Sequence, residues 1–421
     1  MIKAEEFGER RQRLFDKMED GSALIVYSGV PKMCSADEIY PFEVNRNFYY
    51  LTGISQEDSA LLLINAEGER KEFLFVSPFD PVKEKWYGKR LTPEEAQAAS
   101  GIRNVLQNNA LSAKLDSALN ENFQEFGDIH KVYLDLEKEL KIAEGTSTQD
   151  YKEALMKIYR SIQIEDCYGL IVRLRMVKSP SEVAELREAI ATTKLGIGAV
   201  MALARPGVKE YELANEFLRV VNDDSGYQGL SFPTIMASGV HGACLHYPTP
   251  LDVVKKGDLV LMDLGSRNGY YCADISRTIP ANGRFDPIQK TVYEIVLGCN
   301  KAVAAFVKPG LTLKDLQNFT IEYLSSECLT KGLIAKKEDL VNYYFHSVSH
   351  HIGLDTHDPG DRELPLEAGN IISDEPGLYL KDKGFGIRIE DDLLVTRDGC
   401  EVLSKEIIKE IPDIEQFYKK S

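Results

Sequence analysis

The chain has 421 residues, of which 43% are hydrophobic and 28% charged, with a formal net charge of −16. This composition is typical of a soluble globular protein, and the length predicts two domains, because a single core rarely grows beyond about 250–300 residues. Nucleic acid is not expected as a partner, since the negative charge repels a phosphate backbone, and no run of about 18 apolar residues predicts a membrane span.

Seven cysteines are scattered along the chain without a C-x-x-C pair. An odd, dispersed set is typical of a reducing compartment rather than of a disulfide framework or a zinc ribbon. The first twenty residues carry charges of both signs and lack the apolar stretch of a secretory signal. We therefore expect a cytoplasmic protein.

The first 170 residues alternate between strand-like and helix-like segments. The stretches "SALIVYSG", "SALLLI" and "EFLFVSPF" predict strands, and "TPEEAQAASG" predicts a helix. Strands that alternate with helices indicate a layered α/β arrangement. We predict a mixed α/β domain over residues 1–172. Trp86, the only tryptophan, is predicted to fill a domain interface, with closure of a substrate entrance as the alternative.

A second domain, residues 173–421, is predicted to begin with a long helix. Ser179 and Glu182 form a capping box around Pro180, and apolar residues follow at helical spacing. Helical patterns end before Pro206 and again before Pro309, and each is followed by an amphipathic stretch. The two stretches indicate two similar halves.

Each half then delivers a histidine and two acids. A histidine lies 40 positions after Pro206 in the first half and 41 after Pro309 in the second. A glycine precedes the first acid of each half by six positions. The residues concerned are His246, Gly257, Asp263 and Asp274, then His350, Gly369, Glu375 and Glu390. Spacing matches better than residue identity, and it predicts a pseudo-twofold α+β domain with a site between its halves.

The four acids lie in apolar stretches that predict buried strands. A buried carboxylate stays protonated or finds a cation, because desolvation and neighbouring negative charge both raise its pKa. Two divalent ions would neutralise four such acids, leave room for an imidazole, and activate a bridging water. Because four carboxylates and one histidine are hard donors, we predict two Mn²⁺ ions, with Co²⁺, Zn²⁺ or Fe²⁺ as alternatives.

The stretch "FHSVSHHIGLDTHD" holds four of the seven histidines: His346, His350, His351 and His357. The apolar and aromatic residues from Tyr343 to Val348 favour a strand. The helical zinc motif H-E-x-x-H is excluded, because Ser347 follows the first histidine. This cluster is the predicted source of the imidazole.

These segments resemble a known family. "LMDLGSRNGYYCADISRTI", "HSVSHHIGLDTHD", "DEPGLY" and "GIRIEDDLLVT" resemble the signature blocks of metal-dependent peptidases with the pita-bread (creatinase/methionine aminopeptidase-like) fold. The resemblance is greatest to the Xaa-Pro aminopeptidases and next to the Xaa-Pro dipeptidases. "EFGERRQRLFDKM", "SADEIYPFEVNRNFYYLTGI" and "WYGKRL" resemble the N-terminal domain of the aminopeptidase P group. The similarity spans nearly the whole chain.

The resemblance implies an enzyme that cleaves the bond between an N-terminal residue and a following proline, acting as a homodimer or homotetramer. It implies that Asp274 and Glu390 bridge two ions and that Glu375 serves as general base. The implied metal ligands are Asp263, Asp274, His350, Glu375 and Glu390. The implied surrounding groups are His246 and His357 around the substrate, His346 on the proline side, and Arg388 and Tyr379 behind the ligands.

Three alternatives remain open at the level of sequence. An Xaa-Pro dipeptidase differs only in whether the cleft accepts chain beyond proline. A metal-free hydrolase such as creatinase, or a non-catalytic pita-bread binding protein, would lack part of the ligand set, which is complete here. Histidines 130, 241 and 351 are expected to be bystanders, and Cys244 and Cys272 to be small buried apolar side chains.

Overall fold

The computed structural model describes residues 2–120, 122, 125–136, 147–224 and 229–420. The chain divides into two compact units, Ile2–Arg175 and Met176–Ser421. Within the described residues, no helix combines the length and apolarity that crossing a membrane requires.

The first unit is built on a six-stranded mixed sheet. Its strands are β1 (Ser22–Tyr27), β4 (Ala60–Ala66), β5 (Glu69–Val76), β6 (Asn104–Gln107), β7 (Lys131–Leu134) and β8 (Gln163–Asp166), in the order β6-β5-β4-β1-β7-β8. Strand β1 pairs antiparallel with β4 and parallel with β7. The three strands predicted from "SALIVYSG", "SALLLI" and "EFLFVSPF" are confirmed. A short hairpin, β2 (Met33–Ser35) and β3 (Glu38–Ile39), lies outside this sheet.

Helices accompany this sheet. They are α1 (Ala4–Phe15), α2 (Arg46–Thr52), α3 (Pro81–Tyr87), α4 (Pro93–Ser100), α5 (Leu111–Leu119), α6 (Ser147–Ile158) and α7 (Tyr168–Met176). Helix α4 is the one predicted from sequence, and Thr92 and Glu95 cap it reciprocally. Apolar side chains of the sheet, including Leu62 and Val132, form one core with Leu115 of α5. Trp86 on α3 is 78% exposed.

The second unit contains two helix pairs and a terminal helix. The helices are α8 (Pro180–Leu203), α9 (Glu210–Asp224), α10 (Pro287–Phe306), α11 (Leu313–Thr330) and α12 (Ile411–Lys420). The predicted capping box at the start of α8 is confirmed, and Asp286 and Gln289 cap α10 in the same way. Helix α8 packs closely on α9 at Gly196, where an added Cβ would lie only 2.4 Å from the Phe217 ring.

Each helix pair is followed by antiparallel strands. In the first half, β9 (Ile235–Ser238), β10 (Leu259–Leu264) and β13 (Ile275–Pro280) form a sheet in the order β13-β10-β9, beside the hairpin β11 (Arg267–Asn268) and β12 (Tyr271–Cys272). In the second half, β14 (Ile371–Asp374), β17 (Asp391–Val395) and β18 (Cys400–Val402) form the sheet β14-β17-β18, beside β15 (Gly377–Leu380) and β16 (Phe385–Arg388). The predicted repeat of helix, helix and strands is present in both halves.

Several sequence predictions are wrong in detail. Residues 343–348 form no strand; Val348 donates its N–H over 2.7 Å to Oε1 of Gln317, a side chain on α11, so a side chain takes the place of a strand neighbour. Of the four acids only Asp263 lies within a strand, while the other three flank strand ends. Cys244 is exposed, whereas Cys272 is buried as predicted.

Candidate metal centre and active site

Both halves of the second unit deliver acids to one place. Asp263 lies near the end of β10, Asp274 directly before β13, Glu375 directly after β14, and Glu390 between β16 and β17. A backbone hydrogen bond joins the two halves here: the Glu390 N–H donates over 3.0 Å to the carbonyl oxygen of Ser276 in β13. The second half is thereby joined to the first at the site itself.

Donor atoms of the predicted ligands lie close enough to share cations. In each of three groups, one donor atom from each residue lies within 4.8 Å of the others: Asp263, Asp274 and Glu390; His350, Glu375 and Glu390; and Asp274, His350 and His357. The five predicted ligands all belong to these groups. His357 joins them as well, and its ring centroid lies 4.2 Å from that of His350.

Burial and mutual repulsion dominate the electrostatics of these acids. Burial raises the pKa of Asp274, and the charge of Asp263 raises it further. Burial likewise raises the pKa of Glu375 and of Glu390, and Asp274 adds to both effects. Burial and mutual repulsion therefore both oppose the ionisation of these carboxyl groups when no cation is bound.

The pKa of His350 is also raised, but here the neighbouring carboxylates favour its charged form. Burial acts to lower the pKa of His350, yet the hydrogen bond to Asp274 and that carboxylate's charge outweigh it and raise the pKa. Nε2 of His350 lies 3.3 Å from Asp274 Oδ2 and 3.5 Å from Glu375 Oε1. Its Nδ1 donates over 3.0 Å to the carbonyl oxygen of His351, which turns Nε2 toward the acids.

The donor set fits a pair of divalent cations. Within the described part of the chain, Oδ1 of Asp263 is buried without a hydrogen-bond partner, although Oδ2 accepts from Arg388. Such an orphaned carboxylate oxygen is costly in a protein interior unless a cation or a water meets it. Four carboxylates and an imidazole within this volume match the hard ligand preference of Mn²⁺-like ions and the charge of two of them.

Arg388 organises one side of the acids. Its Nη2 donates over 2.6 Å to Asp263 Oδ2, its Nε over 2.7 Å to Ser276 Oγ, and its Nη1 over 3.1 Å to the Tyr379 hydroxyl. Ser276 Oγ in turn donates over 2.8 Å to Glu390 Oε2. One guanidinium therefore orients acids from both halves, the kind of outer hydrogen bonding that fixes metal ligands.

His346 lies beside this network. Its Nε2 is 2.8 Å from the Tyr379 hydroxyl and its Nδ1 is 3.7 Å from Glu375 Oε2. Gln317 holds the segment that carries it: Oε1 accepts from the Val348 N–H, and Nε2 donates over 3.1 Å to the carbonyl oxygen of His346. A helix side chain thus replaces the predicted strand as the support of His346.

Two adjoining cavities open onto the acids. A cavity of about 280 Å³ is lined by all five predicted ligands together with His346 and Arg388. A second cavity of about 480 Å³ shares His246, His357, Asp263 and Asp274 with the first. Its remaining lining is mostly apolar: Phe232, Pro233, Thr234, Ile235, Tyr247, Pro248 and Thr356. A peptide-sized space therefore meets the acids, with two histidines at the junction.

The structure brings every sequence-predicted site residue to this region, and it adds residues that were not predicted, among them Ser276, Gln317 and Asp392. Ser276 and Gln317 act as described above, and Asp392 accepts the Asp274 N–H over 3.3 Å through Oδ2. Alternation along a strand gave a signal for Ser276, which lies two residues after Asp274. Asp392 similarly lies two residues after Glu390. Nothing local in the sequence indicated Gln317.

Comparison with known proteins places this geometry in context. Residues 184–397 match the model of metallopeptidase family M24, and residues 7–125 match that of the aminopeptidase P N-terminal domain. The Xaa-Pro aminopeptidase of Haemophilus influenzae is 32% identical over 98% of this chain and 97% of that protein. Human Xaa-Pro aminopeptidase 3 is 31% identical over 94% of this chain and 80% of that protein.

Solved structures are similar over the full length. A structure from Bacillus anthracis is 40% identical and superimposes with a TM-score of 0.96, covering 100% of this chain and 99% of that one. A zinc-substituted Escherichia coli aminopeptidase P in complex with product is 29% identical, with a TM-score of 0.91 and the same coverage. The resemblance read from the sequence blocks is therefore confirmed in both units.

Proposed function

The chain belongs to metallopeptidase family M24, and from that premise we propose that its acid cluster cleaves the bond between an N-terminal residue and a following proline. It is a metal-dependent aminopeptidase with an aminopeptidase P N-terminal domain. The observation that carries the proposal is the three overlapping groups of metal-ligand donors, each with its donor atoms within 4.8 Å of one another, beside a peptide-sized cavity.

We propose that Asp263, Asp274, His350, Glu375 and Glu390 would hold a pair of divalent ions. Asp274, His350 and Glu390 each belong to two of the three donor groups, which supports one continuous site rather than separate ones. When bound, a pair of divalent ions supplies Lewis acidity toward a carbonyl oxygen and lowers the pKa of a coordinated water. Mn²⁺ is the proposed native metal, because the donors are hard.

The chain's own residues supply the remaining steps. Glu375 is proposed as general base, which takes a proton from the attacking water at its carboxylate and passes it to the leaving proline nitrogen. Ser373 Oγ, 3.3 Å from Glu375 Oε1, orients that carboxylate. His246 and His357 stand at the junction of the two cavities, where we propose that they stabilise the oxygen of the tetrahedral intermediate.

His346 and Arg388 are assigned supporting roles. The His346 ring and the Tyr379 hydroxyl form a wall on one side of Glu375, which we propose as the side that receives proline. Arg388 keeps Asp263 and, through Ser276, Glu390 in place. Proline calls for a dedicated site, because its tertiary amide lacks an N–H and fixes the chain direction.

Hydrolysis of matched peptides tests the assignment. The purified protein with Mn²⁺ is offered an Xaa-Pro-Xaa tripeptide, an Xaa-Pro dipeptide and an Xaa-Ala-Xaa tripeptide, each with and without chelator. We expect release of the N-terminal residue from the proline tripeptide, with loss of activity in chelator. Cleavage of the dipeptide alone would instead make the protein an Xaa-Pro dipeptidase. Failure on all three would contradict the proposal.

We also propose a cytoplasmic location and a homodimer or homotetramer. The seven cysteines are free, as a reducing compartment would keep them. Large apolar side chains are exposed on the first unit, among them Met33 at 64%, Phe79 at 68% and Trp86 at 78%. Exposed apolar surface of this kind is what contact with a second copy would cover. Light scattering coupled to size-exclusion chromatography distinguishes one, two and four copies.

A further inference from the structure

Glu210 is a fully buried carboxylate that none of the roles above uses. It is the first residue of α9 and has 0% exposure. Its Oε1 accepts from the N–H and the hydroxyl of Ser238, each over 2.7 Å, and lies 3.1 Å from His241 Nδ1. Its Oε2 accepts the Asp252 N–H over 3.1 Å. A buried charge with this many donors is held in one position.

These bonds tie both ends of one irregular segment to a single side chain. Ser238 ends β9, and Asp252 lies fourteen positions further along the chain, where its carbonyl oxygen also accepts the Glu210 N–H over 3.0 Å. Between them lie a single turn of 3₁₀ helix, Gly239–Ala243, and residues 244–250, which have no regular structure. The position of 244–250 therefore depends on how its ends are fixed.

The enclosed residues face the substrate side of the metal centre. His246, Tyr247 and Pro248 all line the cavity of about 480 Å³, which Asp263 and Asp274 also border. An irregular loop thus forms part of the wall against which a peptide would lie. We call residues 244–250 the wall loop.

His241 connects Glu210 to the wall loop, because it contacts both. Its ring stacks on the Tyr247 ring with centroids 4.4 Å apart and planes 18° apart. Burial raises the pKa of Tyr247 to about 12, and the negative charge of Glu210 adds to the shift. The 3₁₀ turn packs closely against β16, since a Cβ added at Gly386 would lie 1.9 Å from the Gly242 carbonyl oxygen.

We propose that Glu210 is a positioning residue, which fixes the wall loop through His241 and Tyr247 and thereby sets substrate selectivity at the cavity. The proposal deepens the proposed peptidase function and rests on it. In this proposal His241 helps to shape the site, whereas the sequence analysis expected it to have no functional role. Glu210 itself reaches the cavity only through these residues and is not assigned a chemical step.

The test uses two variants and a control in the metal-loaded full chain. Glu210→Gln keeps the side chain's size but loses its charge and one acceptor. Tyr247→Phe keeps the stacked ring and removes only the hydroxyl. Glu216→Gln lies on the same helix, where its carboxylate pairs with the surface residue Arg219, and serves as the control. Metal content, kcat and KM are measured with Xaa-Pro-Xaa tripeptides whose first and third residues are small or large.

A merely structural role lowers the number of active molecules, which reduces kcat by the same factor for every peptide. A displaced wall instead changes the ratio of kcat/KM between small and large peptides, and we expect this ratio to shift about tenfold in Glu210→Gln. In Tyr247→Phe, where only the hydroxyl is lost and the stacked ring remains, we expect a smaller shift of about threefold. Bound metal and the control's ratio should match the wild type.

An unchanged ratio in both variants beside an active wild type would overturn the inference. A decrease in kcat/KM by the same factor for every peptide would also overturn it. If Glu210→Gln does not fold, Tyr247→Phe decides the question alone, since it removes no buried charge. Inactivity of the wild type toward every proline tripeptide is a different outcome, which refutes the proposed function itself.

Discussion

The substitution Asp274→Asn tests whether metal binding and activity can be lost while the protein still folds. The substitution keeps the side chain's size and removes its charge. Asp274 is 4% exposed and belongs to two of the three donor groups, so its loss weakens both cation positions at once. We expect hydrolysis to be abolished while the protein still folds, because removing one of four mutually repelling buried charges relieves the metal-free state.

The expected change in stability follows from mass action. A ligand that binds only the folded state stabilises it by about 2.7 kcal/mol when free ligand exceeds Kd about 100-fold. If the substitution weakens binding about 100-fold, the same concentration adds only RT ln 2, or about 0.4 kcal/mol. The difference of about 2.3 kcal/mol corresponds to roughly 5–9 °C in the melting temperature of a unit the size of Met176–Ser421.

Thermal unfolding with and without Mn²⁺ measures this difference. The matched control is Asp398→Asn, whose carboxylate is exposed after β17. Wild type and control should show the same Mn²⁺-dependent rise in melting temperature, and Asp274→Asn should lose most of it together with activity. Wild-type turnover and a wild-type Mn²⁺ response in Asp274→Asn would remove this residue from the site.

Three further substitutions test the surroundings of the acids. Arg388→Gln should lower the metal-free free energy of unfolding by about 3–5 kcal/mol, measured in urea, because Asp263 is left buried without its partner. His357→Ala should slow turnover while metal analysis still finds both ions bound. Gln317→Leu should lower the free energy of unfolding by about 1–3 kcal/mol, since it removes three hydrogen bonds to the segment carrying His346, and should raise KM.

Each of these has a contrary outcome. An unchanged urea midpoint in Arg388→Gln would mean that Asp263 does not depend on the guanidinium. Loss of both ions in His357→Ala would make that residue a ligand. Asn318→Ala, at the exposed neighbouring position, is the control for Gln317→Leu. If the two variants have the same KM, the segment carrying His346 is held by other contacts.

The convergence of the acids could be predicted from the sequence because it follows from a repeat. Gly257 and Gly369 each precede an acid by six positions, and Asp263 and Glu375 come to lie at corresponding ends of β10 and β14. Like charges in apolar stretches then require a cation on general electrostatic grounds. The repeat, the apolar pattern and the charges can all be read directly from the order of residues along the chain.

The supports of the site could not be predicted, because they are contacts between distant residues. Gln317 bonds to Val348 across 31 positions, and Glu210 bonds to Ser238 across 28. Neither residue differs in type from the many polar residues of exposed helix faces. The strand prediction for 343–348 was wrong for the same reason: apolar composition is compatible with an irregular segment when a helix side chain satisfies its backbone.

The number of divalent ions bound per chain decides whether paired cations hold the buried acids. The protein is loaded with Mn²⁺, freed of excess by dialysis, and analysed for metal and for cleavage of a proline tripeptide, before and after chelation. We expect two ions per chain, loss of cleavage on their removal, and recovery on reloading. Full activity with no bound ion, or unchanged activity after chelation, would contradict the assignment of these carboxylates to a metal pair.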